Sequence, residues 1–192
     1  TDGYGLSRES IEKIKQQHCE SAAASLLITV DCGITAVEEV SLAKALGFAV
    51  IIVDHHALPA QCTDADAIVW TETLCSGGIS WFVAQSLLDG GELEQRDLAA
   101  LATVADLQPL LSLNRSFVRS GLAVINQKPR PGLKALIMAS RMPDRLVGTY
   151  ELGWLLGPRL NAAGRLESAV KALKLLLTRN LKEAEEIAAG LN

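Results

Sequence analysis

Acidic and imidazole side chains stand directly after two short apolar segments of the sequence. Asp31 follows the first segment, and Asp54, His55 and His56 follow the second. If both segments are parallel strands, their carboxyl ends meet at one edge of the sheet, where ligands bind in such folds. Carboxylate oxygen together with imidazole nitrogen suits Mn, Fe, Zn or a similar divalent ion better than Ca²⁺. The pattern predicts a metal site at this edge, and capping of the following helices by the two aspartates is the alternative.

A third carboxylate, Asp106, closes an apolar helical run and precedes Pro109. A carboxylate buried at that point needs a partner, and a metal ion is one such partner. An ordinary aspartate at a helix end is the alternative, because that position is common for aspartate.

The segment Gly157–Leu166 combines two glycines, two alanines, one asparagine and two arginines in ten residues. This composition predicts a loop whose exposed backbone N–H groups and two forked guanidinium groups hold phosphate. A helix–helix connection with surface arginines explains the composition equally well.

The elements that must position these residues alternate between strand and helix over the first part of the chain. This order is typical of βαβ units with right-handed crossovers and a parallel sheet. Short apolar, β-branched runs predict the strands Leu26–Asp31, Phe48–Asp54 and Asp66–Trp70. Cap residues predict helices from Ser7 to about Ala24 and from Thr35 to Leu46, the second ended by Gly47.

From Gly78 onward the pattern is helical, with a break at Lys128–Gly132. The sign of the net charge changes at the break. Residues 1–127 carry 7 Lys and Arg against 16 Asp and Glu, and residues 128–192 carry 11 Lys and Arg against 6 Asp and Glu.

We therefore predict an α/β core over residues 1–127 and a helical segment over residues 128–192. An acidic part beside a basic part suits a metal site next to an anion-binding surface, and ordinary solvated charge is the alternative. The predicted helices are Ile79–Leu88, Glu94–Val104, Arg115–Asn126, Leu133–Ser140, Ala169–Leu177 and Asn180 to about Leu191.

Composition excludes several classes of protein. With 192 residues, 49% of them apolar, the chain can bury a sizeable core, but its apolar runs are too short to span a bilayer. Its start does not have the pattern of a secretory signal. The four cysteines form no C-x-x-C pair, which favours a reducing cytoplasm. A zinc site made from Cys32, His55, His56 and Cys62 is an alternative that lacks the usual paired spacing.

Taken together, these motifs resemble the DHH phosphoesterases, and within that family the bacterial exonucleases specific for single-stranded DNA. The resemblance covers nearly the whole chain, from Gly3 to Leu166. It implies an α/β fold, with a parallel-sheet DHH domain core that is incomplete at its N-terminus and a helical connecting segment after it. The motifs that carry it are Gly3–Leu6, Val30–Ile34, Asp54–His56, Ala105–Asp106, Pro109–Leu110 and Gly157–Arg165.

The resemblance also implies roles for individual residues. Asp31, His55 and Asp106 match metal ligands of a two-metal site that usually holds Mn²⁺ or Mg²⁺. The implied catalytic residues are Asp54, behind or between the metals, and His56, in contact with metal or the scissile phosphate. The phosphates of single-stranded DNA would be held by Arg159, Asn161 and Arg165.

The implied reaction is in-line attack of a metal-activated water on a phosphodiester, releasing mononucleotides in the 5′ to 3′ direction. The implied setting is DNA repair and recombination in the cytoplasm, with single-strand binding protein and a helicase as candidate partners. Two alternatives stay open: a DHH phosphodiesterase for oligoribonucleotides or cyclic dinucleotides, and a DHH-like scaffold protein without catalysis.

The family's earliest motif, Asp-x-Asp-x-Asp-Gly, does not occur in this sequence, and we expect it upstream of Thr1. The family's C-terminal substrate-gripping domain is expected beyond Asn192. Because the earliest motif supplies carboxylates to both metals, we expect the chain as given to bind metal weakly and to cleave little or nothing.

Overall fold

The computed structural model describes residues 5–18, 25–91, 93–140, 146–166 and 169–191. The chain divides into two compact units, Thr1–Gly91 and Glu92–Asn192. The first unit combines strands and helices, and the second is helical in its described residues. The predicted boundary between residues 127 and 128 rests on charge and composition and stays a prediction. No helix in the described ranges has both the length and the apolar character needed to cross a membrane.

Three parallel strands form the sheet of the first unit. They are β1 (Ser25–Val30), β2 (Phe48–Asp54) and β3 (Ala67–Trp70), in the spatial order β1-β2-β3. Val30 pairs with Val53, and Asp54 pairs with Trp70, so all three strands end at one edge. The predicted α/β fold with a parallel sheet is confirmed.

The described residues of the first unit also form the helices α1 (Arg8–His18), α2 (Val37–Ala45) and α3 (Ser76–Ser86). The Ser7 side chain accepts a hydrogen bond from the backbone N–H of Ser10, as expected of an N-cap. Thr35 does not cap α2, because the helix begins after Ala36 without a side-chain cap. The buried core of this unit consists of Ile11, Val40, Ala43, Phe48, Val50 and Ile52.

The second unit consists of six α-helices and one π-helical segment in its described residues. Its core is built from leucines and alanines that are almost completely buried, among them Leu133, Leu136, Leu152, Leu156 and Leu175. The elements are α4 (Arg96–Ala105), α5 (Ser112–Gln127), α6 (Pro131–Ala139), the π-helical segment Glu151–Leu156, α7 (Gly157–Leu166), α8 (Ala169–Leu177) and α9 (Leu181–Ala189).

The prediction of a loop at Gly157–Leu166 is wrong, because this segment is helix α7. Gly157 has right-handed helical dihedral angles, so it does not form a turn. Its missing side chain allows close packing instead: a Cβ there would lie 2.9 Å from the carbonyl oxygen of Leu152 and 3.3 Å from the Cβ of Ala105. Leucine, alanine and arginine at the following positions favour the helix.

A buried ion pair links α4 to the start of α6. The Asp97 side chain is 3% exposed and accepts hydrogen bonds at 2.5 Å and 2.8 Å from Nε and Nη2 of Arg130. Nη1 of Arg130 donates to the carbonyl oxygen of Leu176 at the end of α8. Asp97, Arg130 and Leu176 all lie in the second unit, so this pair stabilises the packing of helices within that unit.

Replacing Arg130 with methionine is expected to lower the free energy of unfolding by about 3–5 kcal/mol, because Asp97 then stays buried without its partner. Urea denaturation followed by circular dichroism measures this change. The control Arg119→Met removes an exposed arginine from α5 and should change stability by less than about 0.5 kcal/mol. Adding Asp97→Leu should recover part of the loss, and equal losses in Arg130→Met and Arg119→Met would contradict the prediction.

Candidate metal centre

Asp31 and His55 meet at the carboxyl edge of the sheet. Oδ1 of Asp31 lies 3.3 Å from Nε2 of His55, and the two side chains are 64% and 12% exposed. The ring of His56 stands 4.6 Å from that of His55, measured between centroids. One ligand atom of each of these three residues lies within 4.8 Å of the others. In the described part of the chain, this is the one such cluster of three or more His, Cys, Asp or Glu donors.

The donor atoms of this cluster fit a divalent metal ion. An octahedral ion with ligand bonds of about 2.1 Å places neighbouring ligand atoms about 3.0 Å apart, close to the 3.3 Å between Asp31 and His55. One carboxylate and two imidazoles suit Mn²⁺ or another first-row ion. The alternative zinc site is not supported, since Cys32 and Cys62 lie outside the cluster. Burial and the charges of Asp54 and Asp31 also raise the pKa of the Cys32 thiol, which disfavours a thiolate.

Asp54 lies behind the cluster and is almost completely buried, with 1% of its surface exposed. Its Oδ2 accepts the backbone N–H of Ile34 at 3.0 Å. Its Oδ1 accepts the backbone N–H groups of His55 and His56 at 2.8 Å and 3.3 Å, and faces Nδ1 of His56 at 2.7 Å. Burial by itself raises the pKa of Asp54, but these four hydrogen bonds outweigh burial and lower the pKa below its usual value.

The contact with Asp54 selects a tautomer of His56. An ionised carboxylate only accepts hydrogen bonds, so Nδ1 of His56 carries the proton that points to it. The lone pair of the neutral ring then sits on Nε2, the atom that binds metals in carboxylate–histidine pairs. The indole N–H of Trp70, at the end of β3, donates to the carbonyl oxygen of His56 at 2.8 Å and holds the same residue from the other side.

The turn after β1 brings Ile34 back to Asp54, and it depends on one glycine. Asp31 itself has a left-handed φ of 65°, and Gly33 has a φ of 111°. A Cβ on Gly33 would lie only 2.7 Å from Oγ1 of Thr29. The turn therefore excludes side chains at position 33 on two grounds, backbone conformation and space.

Asp106 lies in the second unit, where it follows the last residue of α4. It is exposed, and its Oδ2 accepts a hydrogen bond from the amide of Gln108 at 2.8 Å. The expectation of a buried carboxylate at this position is therefore wrong. The next residue, Leu107, has a left-handed φ of 56°, a strained conformation for a leucine.

The three residues predicted to bind phosphate all lie in α7. Arg159 is half-buried, and its Nη1 donates to the carbonyl oxygen of Leu155 at 2.7 Å. Asn161 is exposed. The side chain of Arg165 lies outside the described part of the structure.

Two features were not predicted from the sequence: the part that Trp70 plays in the site and the π-helical segment. An aromatic residue ending a third strand at the same edge was a usable signal for Trp70. The π-helical segment carries no comparable signal, because its sequence has the apolar spacing of an ordinary helix.

The chain is similar to known proteins of one family. Residues 4–106 match the DHH family, N-terminal domain. The whole chain is 40% identical to the single-stranded-DNA-specific exonuclease RecJ of Bacillus subtilis (strain 168) and 37% identical to that of Salmonella typhimurium. It covers 25% and 37% of those proteins. The chain thus spans between a quarter and somewhat more than a third of the length of these curated relatives.

Solved structures match the chain as well. A crystal structure of exonuclease RecJ bound to manganese aligns with a TM-score of 0.81 and 32% identity, over 98% of this chain and 49% of that one. RecJ from Thermus thermophilus in complex with Mn²⁺ aligns with a TM-score of 0.76 and 33% identity, over 94% of this chain and 28% of that one.

Replacing Gly33 with alanine is expected to destabilise the chain more than the same change at Gly47. Both glycines have left-handed φ values, but a Cβ at Gly33 would meet a neighbour, whereas no atom of the described residues lies within 4 Å of a Cβ at Gly47. We expect losses of about 1 kcal/mol for Gly47→Ala and about 2–4 kcal/mol for Gly33→Ala, measured by urea denaturation.

Thr29→Ala should partly rescue Gly33→Ala, because it removes the oxygen that a new Cβ would strike. Within the described part of the chain the buried Thr29 hydroxyl has no hydrogen-bond partner, so its loss leaves no other described group unsatisfied. Additive losses in the double variant would show that the clash does not matter.

Proposed function

The chain belongs to the DHH family, and we propose that it is part of a RecJ-like exonuclease that degrades single-stranded DNA in a metal-dependent reaction. The observation that carries this proposal is the cluster of Asp31, His55 and His56 in front of the buried Asp54. Support comes from the whole-chain identity to exonucleases named as specific for single-stranded DNA. The solved structures of such enzymes contain Mn²⁺ or Mg²⁺.

The proposed metal ligands are Asp31, His55 and Asp106, in a centre for two Mn²⁺ or Mg²⁺ ions. When bound, such ions lower the pKa of a water molecule and neutralise charge on a phosphoryl group. Asp31 contributes a charged oxygen that solvent and substrate can reach. His55 is held more rigidly, because its backbone N–H is bonded to Asp54 and its ring is largely enclosed.

Of the two residues expected to be catalytic, His56 is the one proposed to contact metal or the scissile phosphate. Asp54 is better described as a positioning residue, because both of its oxygens accept hydrogen bonds from the chain itself. It sets the tautomer and the orientation of His56 and joins the two loops that carry the ligands. Its effect on the reaction is therefore indirect.

The proposed phosphate contacts are Arg159, Asn161 and Arg165. Residues 128–192 hold 11 Lys and Arg against 6 Asp and Glu, a charge that favours a phosphate backbone. Bond cleavage in the 5′ to 3′ direction, release of mononucleotides, a cytoplasmic setting and partners such as single-strand binding protein and a helicase belong to the same proposal.

The complete product of the gene that encodes this chain should release labelled mononucleotides from 5′-labelled single-stranded DNA when Mn²⁺ is present. Asp31→Asn keeps the shape of the side chain but removes a charged ligand, and should slow release by more than about 100-fold. Asp89→Asn, which changes an exposed carboxylate of the same unit, should have no effect.

Two outcomes would overturn the exonuclease proposal. Faster hydrolysis of dinucleotides or cyclic dinucleotides than of long single strands would assign the protein to another group of DHH phosphodiesterases. No hydrolysis of any of these substrates would favour a scaffold without catalysis.

Replacing both Arg159 and Arg165 with alanine should flatten the dependence of DNA binding on salt. Two lost phosphate contacts should lower the slope of log Kobs against log salt concentration by about 1.4. The matched control, Arg115→Ala with Arg119→Ala, removes two exposed arginines of α5 and should leave the slope nearly unchanged. Equal slopes for the two double variants would count against the phosphate role.

A further inference from the structure

A groove of about 790 Å³ opens in the second unit, where the end of α4 faces the π-helical segment and the start of α7. We call it the aromatic groove and define it by Leu107, Tyr150, Gly153, Trp154, Gly157 and Asn161. Its volume suits one or two flat rings with their attached sugars. Among the described residues that line it, none is charged.

The large side chains of this groove are unusually exposed. Trp154 is 72% exposed and Tyr150 is 59% exposed, and the two residues stand four positions apart at the π-helical segment. Leu107 is 86% exposed and is held in a left-handed conformation. An exposed indole, a strained leucine and a π-helical segment at one place are typical of a site that binds a ligand.

Two glycines bring the π-helical segment close to α4. A Cβ on Gly153 would lie 3.3 Å from Cγ1 of Val104, and one on Gly157 would lie 3.3 Å from the Cβ of Ala105. The lining of the groove therefore combines small residues with two aromatic side chains. Ala105 and Leu107 both line the groove, so the residue between them, Asp106, stands next to it.

We propose that the aromatic groove binds unpaired nucleobases of single-stranded DNA, with one base stacked on the indole of Trp154. This inference rests on the proposed function and adds a base-binding subsite to it. A nucleobase has a flat apolar face, which matches an uncharged groove with exposed aromatic rings. The amide of Asn161 can donate to or accept from a base edge.

The charge around the groove favours a nucleic acid over an apolar peptide. Arg159 lies in α7 between two residues that line the groove, Pro158 and Asn161. The segment that holds Trp154 and α7, residues 128–192, carries five more positive than negative charges. An anionic backbone carrying apolar bases complements such a surface, whereas an apolar peptide would leave the positive charge unmatched.

Base stacking defines what the subsite would contribute. Stacking requires a base that is not paired and stacked in a duplex, so the subsite would contribute to the selection of single strands. The subsite would also bind all four bases, because every base has a flat π-face that can stack on an indole ring.

The test measures binding of the complete gene product to fluorescent DNA in EDTA, so that hydrolysis does not interfere. The two probes are a short oligothymidylate and an oligonucleotide of equal length made of abasic sites, which keeps the phosphates and lacks the bases. Trp154→Ala should weaken binding of the oligothymidylate by about tenfold and leave binding of the abasic probe unchanged. Trp154→Phe should restore most of the affinity. Leu177→Ala, an exposed apolar change on α8, is the control.

The outcomes separate this inference from the proposed function. Wild-type binding of DNA with no effect of Trp154→Ala would overturn the subsite and leave the exonuclease proposal intact. Equal weakening of binding for both probes would mean that Trp154 contacts the DNA backbone or is needed for folding. Either result would overturn the base-binding subsite. A lower melting temperature or a changed oligomeric state in Trp154→Ala would show that protein covers the groove. No binding of either probe by the wild type would overturn both proposals.

Discussion

A buried carboxylate joins the two loops of the candidate metal centre. Asp54 ends β2 inside the protein, where an ionised group is stable only if donors replace the water it has lost. The donors come from Ile34 in the turn after β1 and from His55 and His56 in the loop after β2. Satisfying this one charge therefore sets the distance between the loops and the orientation of the imidazoles.

The rest of the first unit follows from that constraint. The parallel register brings the ends of β1, β2 and β3 to one edge, so that Asp31 and Trp70 reach the same loop from opposite strands. Gly33 permits the turn that returns Ile34 to Asp54, because any side chain there would meet Thr29. Asp31 keeps an exposed carboxylate in front of this rigid frame. A metal site needs this combination of fixed support and accessible ligands.

The second unit is stabilised by close packing between helices. Its helices bury leucines and alanines, and Arg130 ties three of them together through Asp97 and a carbonyl oxygen of α8. Glycines at positions 153 and 157 allow the π-helical segment to approach α4. Large aromatic residues stay at the surface as a consequence, beside an exposed aspartate. A groove of this kind results from close packing between helices, and a nucleic acid can bind in it.

The sequence by itself determined the parallel sheet and the meeting of Asp31 with His55 and His56. Short β-branched strands separated by a helix have one common arrangement, and that arrangement brings their carboxyl ends together. Only the tertiary structure decided that Gly157–Leu166 is a helix, that Asp106 is exposed and that Trp154 borders a groove. A glycine in a sequence can permit either a turn or the close packing of two helices. At Gly157 the second use applies because the helix packs against Ala105 of α4, a residue that is distant in the sequence.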